Sequence, residues 1–329
     1  MISTGFVNSI KRGCRQLCGR RIYFFAMTVI PIVLAGFLLG LMRNGLPLHI
    51  PTAIVNHDNT ESTRKLIRNI KSSEEVSVVS VVSSEAEAMQ LIRKGKIYGF
   101  YVIPFNFTSD ATAGRAPELA YYTNSTFFIP SSLLFRSLKT NSVLASGAIV
   151  KTYLVNSGAA TDTQAQTLLQ PVVLQTNPLH NPESNYSVYL CNSFIPTALA
   201  LMILLVTAYS IWHEEKMQTS PQWIKEAHGS ITIALLGKLL PQTVVFAAVG
   251  VFMQSLMYGY LHFPLNCSPW QAVGTMLLFV LANQGFAVFI SGIMPNLRMA
   301  LSFCSLFGIL TFSIGAFSFP LGDMCGSIA

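Results

Sequence analysis

Apolar residues in this chain gather into long blocks with no charge inside them, instead of alternating or recurring every third or fourth position. Between Lys238 and Arg298 the chain runs 59 positions without Asp, Glu, Lys or Arg, more than twice the roughly 20 residues that one helix needs to cross a bilayer. Shorter blocks of the same kind cover Ile22 to Met42, Ser184 to His213 and Met299 to Gly322. The pattern predicts five membrane spans, at 22–42 and at roughly Leu190 to Trp212, Leu239 to Tyr260, Trp270 to Ile293 and Met299 to Phe317. Trp212 and Trp270 fall at span ends, where interfacial aromatics concentrate. Pro31 and Pro196 are expected to bend the first two spans, and Pro241 to sit in a first turn, where its missing amide costs little.

The segment between the first two spans has another rhythm. Thr52 to Asn56, Val76 to Val82, Ile97 to Ile103 and Glu118 to Thr123 read as strands. Thr60 to Lys71 reads as a helix with Leu66, Ile67 and Ile70 on one face, and a second helix starts at a capping box of Ser84 and Glu87 and stops at Gly95. A long apolar helical run follows from Pro130 to Asn156. Residues 2 to 20 form an amphipathic helix, with Phe6, Val7, Ile10, Cys14 and Leu17 on one face and Lys11, Arg12 and Arg15 opposite, a pattern that lies in a membrane interface. The fold class is therefore an α-helical polytopic membrane protein with an inserted α/β extracytoplasmic domain. Its parts are an elbow helix over 1–21, a span over 22–42, the α/β domain over 43–189, and spans two to five over 190–329 with a cytoplasmic loop at 213–238.

Composition agrees. Apolar residues make up 51% of the 329, charged residues 11%, and mean hydropathy is +0.50, against about a quarter charged in soluble domains. Lys11, Arg12, Arg15, Arg20 and Arg21 precede the first span, and Lys216, Lys225, Lys238 and Arg298 lie in the other segments on that side, whereas the loop from Leu261 to Pro269 has no Lys or Arg. Basic flanks stay cytoplasmic. The N-terminus is thus expected inside, residues 43–189 outside, and the first block is a retained anchor, since Arg43, Asn44 and Gly45 do not make a cleavage site. The net charge of +7 suits anionic lipid headgroups and gives no reason to expect nucleic acid.

Catalytic chemistry is hard to find. No GxxxxGK[ST] loop occurs, so any ATP and Mg must sit on a partner, and no cofactor is expected on this chain. His213, Glu214 and Glu215 begin like HExxH, but Met217 stands where the second histidine is needed. Cys14 and Cys18 have no matching His or Cys pair to complete a zinc site. Cys191, Cys267 and Cys325 lie near the expected outer surface, and a disulfide among them is left open as to pairing. The spans carry no carboxylate or basic group, which argues against an ion-coupled carrier. Gln254, Asn283 and Gln284 are the polar side chains read inside them, either as interhelical hydrogen bonds or as a substrate path. The cytoplasmic segment from His213 to Pro241 places an apolar pair, Trp223 and Ile224, among charges, as expected for a short helix that docks into a partner's groove.

Several of these segments resemble a known family. Glu214, Glu215 and Thr219, followed by Gly237-Lys238-Leu239-Leu240-Pro241, are similar to the first cytoplasmic loop of type-2 ATP-binding-cassette (ABC) exporter permeases with a large outer domain between spans one and two. Ala53 to Asp58, Ile103 to Phe107, Asn181-Pro182 with Asn185-Tyr186, and the stretch from Gly315 to Pro320 match the same pattern. The resemblance implies a permease subunit that dimerises with a second copy or a close paralogue. It implies a separate cassette ATPase, export of a hydrophobic or amphipathic substrate, and a place in the bacterial inner membrane, with a periplasmic adaptor as a further partner. Glu214, Glu215, Thr219, Trp223, Ile224 and Lys238 would be the ATPase-coupling residues. Two departures stand out: Gln218 occupies a position where the family commonly has glycine, which predicts a different turn, and a sixth span would follow Ala329, so the sequence reads as truncated. The competing reading is a membrane-anchored receptor or surface-binding protein acting through its outer domain; an intramembrane enzyme would need a nucleophile or metal that the chain does not show.

Overall fold

The computed structural model describes residues 2–43, 45–169, 181 and 185–314. The chain divides into two units, Met1–Leu46 with Pro178–Ala329, and Pro47–Asn177. The first unit opens with α1 (Ile2–Gly19) and α2 (Arg21–Leu41). A π turn at Phe25–Val29 interrupts α2 just before Pro31, where the hydrogen-bond ladder must change register because proline has no amide to donate.

The second unit holds β1 (Ile50–Asn56), α3 (Glu61–Lys71), β2 (Val76–Val82), α4 (Glu85–Arg93), β3 (Gly99–Ile103), α5 (Phe107–Thr112), β4 (Ala120–Thr123), α6 (Phe128–Asn156) and α7 (Asp162–Leu169). The sheet order is β2-β1-β3-β4, parallel except for the antiparallel edge β3–β4. Parallel strands need cover on both faces, and the burial shows it. Ile54, Tyr101 and Ile103 pack with Leu66, Ile67 and Ile70 of α3 and with Leu134 and Leu138 of α6 on one side. Ala53, Val55, Phe100 and Val102 pack with Ala88 and Ile97 on the other. Ser84 accepts the Glu87 amide at 3.3 Å, and Gly95, at φ +67, ends α4 with Lys96 N bonded back to Leu91 O.

Two sequence segments singled out above meet at the end of this sheet. Asp58 Oδ2 accepts from Thr108 N at 3.2 Å, from Thr108 Oγ1 at 2.6 Å and from Thr60 Oγ1 at 2.9 Å, and His57 stacks on Phe105 with centroids 4.4 Å apart. One carboxylate thus ties the turn after β1 to the turn after β3.

The first unit resumes with α8 (Tyr186–Lys216), α9 (Ser220–Glu226), α10 (Ile231–Tyr260, closing in a π turn at Ser255–Tyr260), α11 (Pro269–Ile293) and α12 (Leu297–Ile314). α8 is its axis: Ile195, Leu199, Ile203 and Val206 join Tyr23 and Met27 of α2, Phe246 and Val249 of α10, and Met276 and Val280 of α11 in one core. Leu204 and Ala208 meet Ala287, Ile290 and Cys304 on the other side. Among the described residues four helices, α2, α8, α10 and α11, are long and apolar enough to cross a membrane. The fifth expected span corresponds to α12, whose apolar stretch, Leu297–Phe312, is shorter; the expected end at Phe317 and the Gly315 to Pro320 segment lie outside the described residues.

Two expectations are corrected. Residues 213–238 are not an open loop, because α8 runs on through His213, Glu214 and Glu215, and α10 already starts at Ile231, with Ser230 Oγ accepting the Ile233 amide. Pro241 consequently lies well inside α10 and not in its first turn. By their charge Lys238 and Glu214 look like loop residues, yet they neutralise each other inside the helical bundle. Cys191 is buried and Cys267 exposed, both unbridged, and Cys325 is outside the described residues.

The Asp58 tie gives a direct test. Asp58→Ala removes three hydrogen bonds to a carboxylate and is expected to destabilise the sheet unit by about 2 kcal/mol. Hydrogen exchange of the full chain should show the loss of protection concentrated at Asn56–Thr63 and Asn106–Thr112, and a uniform change would contradict the assignment.

Candidate functional site

The charged residues at one end of the first unit converge on a single carboxylate. Glu214, on the last turn of α8, is 1% exposed. A buried carboxylate must have its lone pairs filled and its charge matched. Lys238 Nζ donates to Oε1 at 2.6 Å and Gln16 Nε2 to the same oxygen; Arg12 Nη2 donates to Oε2 at 2.9 Å, as does Thr219 Oγ1. The donors come from α1, α10 and the turn after α8. Arg12 Nη1 also reaches Glu226 Oε1 on α9 at 3.0 Å, so two cations face two carboxylates and the cluster is neutral.

The turn that delivers Thr219 is a specific one. Thr219 N bonds Glu214 O at 2.9 Å and Gln218 N bonds Glu215 O at 3.0 Å, the paired pattern that closes a helix when the intervening residue is left-handed. Gln218 has φ +56. This left-handed conformation, which glycine adopts most easily, is borne here by glutamine. His228, at φ +54, ends α9 the same way, with Gly229 N on Ile224 O at 2.9 Å and His228 N on Lys225 O at 3.1 Å.

Between these turns, α9 is held from below. Trp223 is buried at 7% exposure beside Ala227 and Ala234, its indole donates to Ala234 O at 3.2 Å, and Lys238 Nζ lies 4.8 Å from its ring centroid. The expectation of an exposed Trp223–Ile224 pair is corrected here: the tryptophan is the anchor of α9, and Ile224 is half-buried. Of the six residues assigned to coupling, Glu214, Trp223 and Lys238 are interior, Thr219 is half-buried, and Glu215 is exposed, accepting from Ser220 Oγ at 3.1 Å. The exposed positions of α9 are Pro221, Gln222, Lys225 and Glu226, and Glu215 near the end of α8 is exposed as well.

Helix α1 reaches the cluster because small residues let it approach. Gly5, Ser9 and Gly13 are buried, four apart. A β-carbon at Gly13 would lie 3.2 Å from Gly237 O, and one at Gly237 would collide with Ser9. Pro241 has no amide to return to that Gly237 carbonyl, so the carbonyl is left facing α1. Arg12, Gln16 and this small-residue stripe were not read as functional from the sequence. The spacing of four among small residues was the available signal. Beside the cluster, Arg20 meets His213 Nε2; since a guanidinium only donates, the ring nitrogen is the acceptor in this contact.

The polar residues expected inside the spans do not gather around one path. Gln254 Nε2 donates to Ala272 O at 3.2 Å across α10 and α11, Gln284 Oε1 accepts from Thr243 Oγ1 at 2.7 Å, and Asn283 Nδ2 bonds Phe279 O of its own helix at 2.8 Å. A further polar pair, Gln242 Nε2 donating to Ser210 Oγ at 2.9 Å, joins α10 to α8.

Residues 21–329 match the protein family described as ABC-2 family transporter protein. Over 98 residues the chain is 30% identical to the linearmycin resistance permease protein LnrN of Bacillus subtilis strain 168, a stretch that is 30% of this chain and 25% of that protein. The match thus spans about a quarter of the relative's length. No solved structure matches the chain.

Two measurements probe the cluster. Glu214→Gln or Lys238→Met alone strands a buried charge and is expected to cost about 3–5 kcal/mol, while the double variant recovers most of it; additive losses in thermal unfolding would show that the two groups do not depend on each other. Gln218→Gly should stabilise the protein by ~1 kcal/mol and Gln218→Val should destabilise it, because only glycine is unstrained at positive φ.

Proposed function

The chain belongs to the ABC-2 transporter family, and we propose that it is the transmembrane permease subunit of an ABC exporter, driven by a separate cassette ATPase that docks on α9. The observation that carries this reading is the mounting of α9. A short helix transmits motion to the spans only if it cannot slide or tilt independently. Here its own Trp223 packs against Ala234 of α10, its two ends are left-handed turns, and its flank is tied through Glu226 and Arg12 to the buried Glu214. ATP and Mg would bind on the partner, and this chain would contribute no catalytic group.

We place the N-terminus and α9 in the cytoplasm and the unit Pro47–Asn177 outside the bacterial inner membrane, on the asymmetry of basic residues at the span ends. A second copy or a close paralogue would complete the permease, with a periplasmic adaptor as a partner of the outer unit. The substrate is read as hydrophobic or amphipathic and moving outward. In support, the described spans carry no charged side chain between the end clusters, and a wholly apolar groove of about 360 Å³ opens between α2 and α8, lined by Ile22, Tyr23, Ala26, Met202, Val206 and Tyr209 among others. The relative's name, a resistance permease, fits the same direction.

The test is to purify the protein from its native cells in mild detergent and identify what accompanies it. A P-loop ATPase should co-purify, and Glu215→Ala/Gln222→Ala/Lys225→Ala should release it with the unfolding midpoint unchanged, since these side chains face solvent. If no ATPase appears even after cross-linking, or if the triple variant retains it, the docking assignment is wrong.

A further inference from the structure

In the sheet unit, α6 runs on past the core it packs against. Leu134, Ser137 and Leu138 are buried, but the helix continues to Asn156, and Ala145 and Ile149 reach only the edge of the cluster that holds Leu66 of α3 and Phe107 of α5. Ala145 and Ala148, one turn apart, put methyl groups where larger side chains would close the gap. A groove of about 460 Å³ is left between the three helices, within the range of roughly 300–1,000 Å³ that small-molecule sites occupy. One of its walls is fixed in place, because Thr108 of α5 is held by Asp58.

The floor of the groove is apolar, formed by Leu66, Phe107 and Ile149, and its rim is polar. On the rim, the side chains of Ser62, Asn69, Tyr153 and Asn156 hydrogen-bond to no other group among the described residues, whereas Thr152 is turned back onto Ala148 O at 2.8 Å. Lys65 is the one charged residue among the described lining, and its ammonium lies 3.2 Å from Glu61, so the groove offers a ligand no net charge. We propose that it binds a neutral amphipathic small molecule, whose apolar body covers the floor and whose hydroxyl or carbonyl groups meet the two carboxamides and two hydroxyls of the rim. An ion would lose hydration there without gaining a counter-charge. A wholly apolar ligand would strip water from the rim groups and leave them unpaired. The inference rests on the reading of an amphipathic substrate only for the identity of the ligand as cargo; binding in the groove requires neither the ATPase nor a direction of transport.

The experiment is hydrogen exchange of the full chain in detergent-free phosphatidylcholine nanodiscs, titrated with hexyl β-glucoside, which joins a neutral hydroxylated head to a short apolar tail. Hexyl sulfate, hexyltrimethylammonium and glucose are titrated in parallel. At about ten times its dissociation constant, hexyl glucoside should slow exchange about tenfold in 62–69, 107–112 and 145–157 and change the spans little, while the charged amphiphiles and glucose should do much less. Ala148→Trp, which fills the groove from an exposed position, should abolish the effect and leave ligand-free exchange of β1 and β3 unchanged. Asn69→Leu/Asn156→Leu should weaken the binding of hexyl glucoside about tenfold. No localised protection by hexyl glucoside, equal protection by a charged amphiphile or by glucose, full protection in Ala148→Trp, or unchanged affinity in the double variant would each overturn the proposal. Because the discs hold no ATPase, these outcomes are separate from those of the co-purification.

Discussion

The charge of Glu214 is the constraint on which one end of the membrane unit is built. A carboxylate that is 1% exposed persists only if every lone pair is met and the charge is balanced, because the cost of a bare ion in a low-dielectric interior far exceeds any packing gain. That requirement brings together α1 through Arg12 and Gln16, α10 through Lys238, and the α8–α9 turn through Thr219. Remove the carboxylate and those segments lose their common point of attachment. A buried ion pair of this kind adds little net stability over a hydrophobic replacement. What it supplies is geometry, since its partners must meet at one place and in one register.

Several local features follow from that demand. Gly13 and Gly237 let two backbones come close enough for side chains on α1 to reach Glu214. The left-handed Gln218 turns the chain sharply, so that Thr219 folds back onto the carboxylate of the helix it has just left. Lys238 serves twice, as the counter-ion of Glu214 and, 4.8 Å from the indole centroid, as the cation over Trp223, an arrangement worth about 0.5–2 kcal/mol. Strain at one residue and desolvation at two others are thus offset in a single cluster, which fixes α9 to the spans.

The sheet unit is organised by a different physics. Its central strands are buried on both faces, and its residues alternate between two hydrophobic clusters according to the period of two. A polar tie, Asp58 with Thr60 and Thr108, joins neighbouring turns after two parallel strands. Local pattern nearly suffices here. Strands over 76–82 and up to 103, helices over 61–71 and from 85, and the stop at Gly95 all coincide with alternation, capping and glycine signals readable in the chain.

In the membrane unit the sequence by itself determined the apolar blocks, and with them four long helices, because hydropathy over about 20 residues is a sum that no neighbour alters. It also determined the amphipathic character of α1 and the identity of several residues that matter, Glu214, Thr219, Trp223 and Lys238. Only the tertiary structure decided what those residues do. Whether a Glu or Lys marks a loop or lies inside a helix depends on a partner 24 positions away, and whether Trp223 faces outward or anchors its helix depends on Ala234 lying beneath it. Gln218 likewise takes a glycine's conformation because Thr219 must reach Glu214. Gln254 and Gln284 each bond a partner on another helix with one end of the amide, while Gln254 Oε1 and Gln284 Nε2 are buried without a partner among the described residues. Charge and polarity are read from one chain, but their compensation is a property of pairs, and pairs exist only once the helices have met.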